Sequence, residues 1–118
     1  DLSKPKLGLT PTQLKALTGK VKHVFHLAAI YDLTADAESQ RVANVDGTKH
    51  AMELAGALKA LCFHHTSSIA AAGLYPGVFR EDMFDEAEGL SDPYFRTKHD
   101  SEGLVRKYGS DNPSASSN

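Results

Sequence analysis

Val21-Lys22-His23-Val24-Phe25-His26-Leu27-Ala28-Ala29 and, further on, Leu61-Cys62-Phe63-His64-His65-Thr66-Ser67 decide the fold. Each is a short apolar run, and the first follows a glycine stop at Gly19, so both read as strands rather than helices. The second half of the first run is apolar at successive positions, the pattern of a parallel strand covered on both faces. Between the runs, residues 38–59 place Val42, Val45, Met52, Ala55 and Leu58 at helical spacings, with Arg41, Lys49, Glu53 and Lys59 elsewhere on the wheel. Strand, long helix and strand form one crossover unit, so the two strands are expected to be parallel neighbours in an α/β fold.

Outward from this unit the punctuation is clear. Thr10-Pro11-Thr12-Gln13 is a capping box opening a helix over residues 11–18 that Gly19 stops. After the second strand, residues 70–93 carry Gly73, Pro76-Gly77, Gly89 and the acidic group Glu81, Asp82, Asp85, Glu86 and Glu88, and read as a long loop. Asp92-Pro93 has the form of an N-cap followed by a first-turn proline, opening a helix over residues 94–108 that Gly109 ends. Residues 110–118 are small and polar and are expected to be disordered. Only two strands stand out, and two strands cannot supply hydrogen-bonded neighbours on both sides of a buried strand, so the sequence reads as a piece of a larger α/β domain.

Composition excludes several classes of function. With 13 Lys plus Arg against 15 Asp plus Glu, the net charge of -2 leaves no basic stripe for a phosphate backbone, so no nucleic-acid partner is expected. No apolar run approaches the ~20 residues of a membrane span, and the first residues lack the apolar core of a signal peptide. The single cysteine, Cys62, excludes an internal disulfide and suits a reducing cytoplasm, the expected location.

Three sets of residues invite chemistry. Tyr94 and Lys98 stand four apart on one helix face, so phenol and ammonium can approach a single substrate position, and a first-turn tyrosine lies where the helix N-terminus favours an anion. Such a pair also suits a plain solvated surface. Ser67 and Ser68 close the second strand at its carboxyl end, where open α/β sheets bind ligands, although a serine there also serves to satisfy a turn. The six histidines raise a metal reading. His64 and His65 are consecutive in a strand and His23 and His26 are three apart, so each pair points to opposite faces and cannot chelate one ion; no metal site is expected. The motif G-x-S-x-G is absent, which discounts Ser-His-Asp hydrolysis.

Taken together, Val24-Phe25-His26-Leu27-Ala28-Ala29, Asn44-Val45-Asp46-Gly47-Thr48, Thr66-Ser67-Ser68 and Tyr94-Phe95-Arg96-Thr97-Lys98 resemble, in order and spacing, the extended short-chain dehydrogenase/reductase family, over residues 1–106. The fatty-acyl or acyl-thioester reductase (male-sterility-like) branch is the most similar. The resemblance implies a Rossmann-like parallel sheet with flanking helices, here partial, with an NAD(P)-binding unit over residues 1–109. It also implies NAD or NADP as cofactor and a carbonyl, alcohol or acyl thioester as substrate. Tyr94 would be the acid/base, Lys98 would hold the nicotinamide ribose and favour the phenolate, Ser68 would orient the carbonyl, and Asn44 would complete the catalytic set. Ala28 and Ala29 would line the cofactor, and Asp1 and Leu2 would end a preceding strand beside the adenine. A homodimer through the helices of residues 38–59 and 94–108 is a further expectation. None of the nine glycines forms the Gly-rich turn that cradles a pyrophosphate. The rival readings are a non-catalytic nucleotide-binding or scaffold protein of the same fold, and an inactive fragment.

Overall fold

The computed structural model describes residues 1–112 and the backbone of Ser116–Ser117. The capping box forms as the sequence predicts. Thr10 Oγ1 accepts the Gln13 N–H at 3.2 Å and Gln13 Oε1 accepts the Thr10 N–H at 2.9 Å, opening helix α1 (Pro11–Leu17). Gly19 takes a φ of 77° just beyond it.

Strands β1 (His23–His26) and β2 (Cys62–His65) pair in parallel, with His23 opposite Cys62 and His26 opposite His65. The predicted neighbours are therefore found, but each strand is shorter than its apolar run. Residues 27–29 leave the ladder to form the carboxyl-end surface where the site lies. The expectation that β1 is covered on both faces is corrected too: Phe25 is 64% and Leu27 70% exposed. On the covered face Phe63 packs with Ala51, Met52, Ala55 and Val105, with Val24, Leu104 and Tyr108 at the margin.

The long helix is not uniform. It runs as α2 (Ala37–Gln40), a π-helical turn (Arg41–Asp46) and α3 (Gly47–Ala57) without a break. Apolar periodicity registers a helix but not one widened turn, and such turns collect at functional sites.

Helix α4 (Pro93–Asp111) opens as expected, with Asp92 Oδ1 accepting the N–H groups of Tyr94 at 2.8 Å and Phe95 at 3.4 Å. Its end corrects the reading from Gly109. The helix continues to Asp111, where the Asn112 side chain donates to the Tyr108 carbonyl at 3.0 Å and closes the last turn in place of glycine. Ser116–Ser117, in the segment expected to be disordered, forms β3, parallel to β2, giving the order β1-β2-β3. Residues 113–115 and 118 of that segment lie outside the described residues.

The loop of residues 70–93 is tied down at two places. Gly73 bridges Glu88, with the Leu74 N–H donating to Glu88 O at 2.7 Å. Phe84 stacks on His99 of α4 at 4.1 Å, beneath the Arg106 guanidinium at 5.2 Å. Gly73 has a φ of 64°, and a Cβ there would lie 1.9 Å from Glu88 O. Gly73→Ala is therefore expected to lower the melting temperature, through roughly 1–2 kcal/mol of left-handed backbone cost plus the displacement of residue 88. Thermal unfolding checks this, and an unchanged midpoint contradicts it.

Candidate active site

The site gathers at the carboxyl ends of β1 and β2, against the first turns of α4. Tyr94 and Lys98 are 8% and 4% exposed, so they are not a solvated surface pair. The Lys98 ammonium donates to the Thr66 carbonyl at 3.0 Å, which ties α4 to the chain just before Ser68. Burial lowers the Lys98 pKa, and the carboxylate of Glu102 works against that shift. Glu102 itself accepts a short hydrogen bond from the Ser67 hydroxyl. Tyr31 meets Tyr94 edge-on, with ring centroids 5.1 Å apart.

Asn44 is 2% exposed and stands in the π-helical turn. Its Oδ1 accepts the Ile30 N–H at 2.8 Å, and its Nδ2 donates to the Ile30 carbonyl at 3.2 Å and to Thr97 Oγ1 at 3.1 Å. One amide thus holds the chain leaving β1 against both the long helix and the helix that carries Tyr94. The Thr97 hydroxyl donates in turn to the Tyr94 carbonyl at 3.1 Å. With both ends of the amide engaged, the geometry gives Asn44 a positioning role.

Beneath this latch lies a second polar chain. Thr48 Oγ1 donates its single proton to the Asn44 carbonyl at 2.7 Å, so the His26 Nε2 that lies 3.0 Å from Thr48 Oγ1 must be the donor there. His26 is therefore held as the Nε2–H tautomer, and burial, followed by the Lys98 charge, lowers its pKa. His65, its register partner, stacks beside it at 5.7 Å and has no hydrogen-bond partner for either ring nitrogen among the described residues. Burial, then Lys98, then His26 push the His65 pKa from 6.5 down to about 4, with Glu102 opposing.

This carries a prediction with a definite sign. Between pH 6.5 and 4 the unfolded ring binds a proton that the folded ring refuses, so the stability contributed by neutral His65 is complete above pH 6.5 and is lost as pH falls toward 4. Melting temperatures across that window should fall less steeply for His65→Leu than for the parent chain. Parallel curves would contradict the assignment.

Other expected positions are more mixed. Ser68 Oγ accepts the Ala70 N–H at 3.2 Å, which serves the turn of Ile69–Ala72 and leaves its hydroxyl proton to be donated. Ser68 also lines an open cleft of about 250 Å³ with Phe79, Arg80 and Arg106, a cleft that does not include Tyr94 or Lys98. Ala28 and Ala29 are exposed, as residues bordering a ligand surface should be. Leu2 shares a cleft of about 350 Å³ with Ile30, Val42 and Ala43. Its carbonyl accepts from His50 Nδ1 at 2.7 Å. Asp1, expected at the end of a strand, instead turns its carboxylate onto the N–H and hydroxyl of Ser3, at 2.9 and 2.7 Å. The sequence reading missed Thr97, Thr48, His26 and the Thr66 carbonyl as positioning groups. Of these only Thr97 sits between the two residues of a quoted catalytic pair.

Among the described residues no helix is long and apolar enough to cross a membrane. The terminal R domain from the myxalamid PKS-NRPS biosynthetic pathway superposes with a TM-score of 0.77 at 30% identity, over 91% of this chain and 28% of that one. UDP-glucuronic acid 4-epimerase from Bacillus cereus, solved in complex with NAD, gives a TM-score of 0.68 at 28% identity, over 91% of this chain and 33% of that one. Fold and residue pattern together define the class as an extended short-chain dehydrogenase/reductase, with a Rossmann-like NAD-binding architecture. Within it the chain belongs to the male sterility protein family, whose model matches residues 1–115. A linear gramicidin synthase protein of Brevibacillus parabrevis is 31% identical over 110 residues, which are 89% of this chain and 2% of that protein. The chain thus spans a third or less of each of these relatives.

Proposed function

We propose that this chain is the catalytic middle of an NAD(P)(H)-dependent oxidoreductase that reduces a carbonyl or acyl thioester, or oxidises the corresponding alcohol. The observation that carries the reading is the buried Tyr94–Lys98 pair, anchored on the carbonyl of Thr66 beside Ser68. A lysine is buried this deeply, against a desolvation cost, only where its charge is used.

The residues present fit part of a nicotinamide dinucleotide. Ala28 and Ala29 offer small, exposed side chains where β1 ends, and Leu2 and Ile30 wall the neighbouring cleft proposed for the adenine end. Lys98 is placed to bind the ribose next to the nicotinamide, exchanging its bond to Thr66 for a ribose hydroxyl. NAD(P)H, when bound, supplies hydride chemistry that no side chain possesses. Ser68 donates its hydroxyl proton to the substrate oxygen and fixes its orientation. Tyr94 delivers a proton to that oxygen as negative charge develops on it, and the Lys98 ammonium stabilises the phenolate left behind. Asn44 acts at one remove, by holding Ile30 and Thr97 and so the cofactor-facing chain and the Tyr94 helix. The outer faces of residues 38–59 and 94–108 are the proposed homodimer surface, and sedimentation tests it, since a monomer at every concentration excludes it.

Kinetics in full-length context test the function. Ser68→Ala is expected to lower turnover by roughly 100-fold, the usual loss for one donor to a developing oxyanion, with cofactor affinity little changed. Unchanged turnover contradicts its role. The 118-residue chain by itself holds no Gly-rich phosphate turn, so calorimetry should find its NAD(P) affinity weaker than micromolar. Micromolar binding, about 8 kcal/mol, would mean that these residues alone hold the cofactor.

A further inference from the structure

The face of the sheet turned away from α3 carries a cluster that the catalytic reading does not use. His23 opposite Cys62 and Phe25 opposite His64 are register partners across β1 and β2, so His23, Cys62 and His64 project from the same side of the sheet. Reasoning within single strands excludes chelation by His23 with His26 or by His64 with His65. Register across two strands assembles a different set. One ligand atom from each of His23, Cys62 and His64 lies within 4.8 Å of the other two. His23 Nδ1 is 3.0 Å from His64 Nε2, and Cys62 Sγ is 4.0 Å from His64 Nδ1.

We propose that His23, Cys62 and His64 form a binding site for a borderline divalent transition-metal ion of the Zn²⁺ class, at the amino-end half of the sheet and remote from Ser68. Two imidazoles and a thiolate are the ligand types such an ion selects over the oxygen-seeking Mg²⁺ and Ca²⁺. Two nitrogens on a tetrahedral ion at 2.0–2.1 Å stand about 3.3 Å apart, and nitrogen and sulfur about 3.6 Å apart. The His23–His64 separation is already near the first value, and the sulfur reaches the second by an adjustment of about 1 Å. The rings are preset for this. Phe25 lies flat against His64, with centroids 4.2 Å apart and an interplanar angle of 5°, so the imidazole is held in plane by an apolar neighbour. His23 is exposed and Cys62 buried, which leaves the fourth coordination position on the solvent side for water or an exogenous ligand.

Cobalt(II) is the probe, because a thiolate ligand gives it a charge-transfer absorption that imidazole and carboxylate ligands do not. Titration of the full chain with Co²⁺ is expected to show this band at one equivalent, with Zn²⁺ displacing it. Cys62→Ser should abolish the band, and His23→Gln and His64→Gln should each weaken binding by roughly tenfold or more. His23→Gln alters an exposed position, so it separates coordination from folding even where a change at Cys62 or His64 disturbs the core, with circular dichroism confirming the fold. Absence of the thiolate band in the folded parent chain, or equal affinity in the parent and His23→Gln chains, would overturn the site.

Discussion

Tyr94→Phe is expected to lower turnover by at least ~100-fold in full-length context, because it removes the one oxygen able to exchange a proton with the substrate. The ring itself stays. Its edge contact with Tyr31 and its place in the first turn of α4 survive the substitution, so folding and cofactor affinity should barely change. That separation matters, because loss of turnover with unaltered cofactor binding is the mark of a group acting only in the transition state. Steady-state kinetics with a cofactor titration checks both halves. If the tyrosine were a structural element alone, turnover would follow stability and stay near the parent value.

Lys98→Met is expected to act on two quantities at once. Replacing the ammonium with an unbranched apolar chain keeps the volume beside β2, but it removes the donor proposed for the ribose and the charge that supports the Tyr94 phenolate. Turnover and cofactor affinity should each fall by roughly tenfold or more. The Thr66 carbonyl loses its partner, at a cost of about 1–3 kcal/mol if it stays dry, partly offset because a buried charge no longer has to be desolvated. A variant with weaker cofactor binding but normal turnover at saturation would confine Lys98 to binding. A variant unchanged in both would remove it from the site.

The features that the sequence carries openly are those that depend on neighbours along the chain. Thr10 and Gln13 announce a capping box, Asp92-Pro93 a helix start, and the apolar runs around Val24 and Phe63 a pair of parallel strands. The spacing of Tyr94 and Lys98 places them on one helix face. What stayed hidden depends on distant residues meeting. The π-helical turn at Arg41–Asp46 cannot be seen in apolar spacing, yet it puts the Asn44 amide within reach of both Ile30 and Thr97. Asn and Asp in mid-helix, at Asn44 and Asp46, are the local trace it leaves, since both are poor interior helix formers. Gly109 misled because glycine ends a helix only where it adopts the left-handed backbone, and here Asn112 performs the closure. The His23, Cys62 and His64 cluster needs the register of β1 against β2, which no single strand encodes.

The most direct measurement follows the transferred hydrogen. Full-length enzyme containing this chain, given NADH or NADPH deuterated at the transferable nicotinamide position together with aldehyde and acyl-thioester substrates, should release a product bearing deuterium on the former carbonyl carbon. Label in the parent product, with its rate of appearance collapsing in Tyr94→Phe, is the result expected. Tight cofactor binding without label transfer to any carbonyl or thioester would contradict the oxidoreductase reading and leave a nucleotide-binding scaffold in its place.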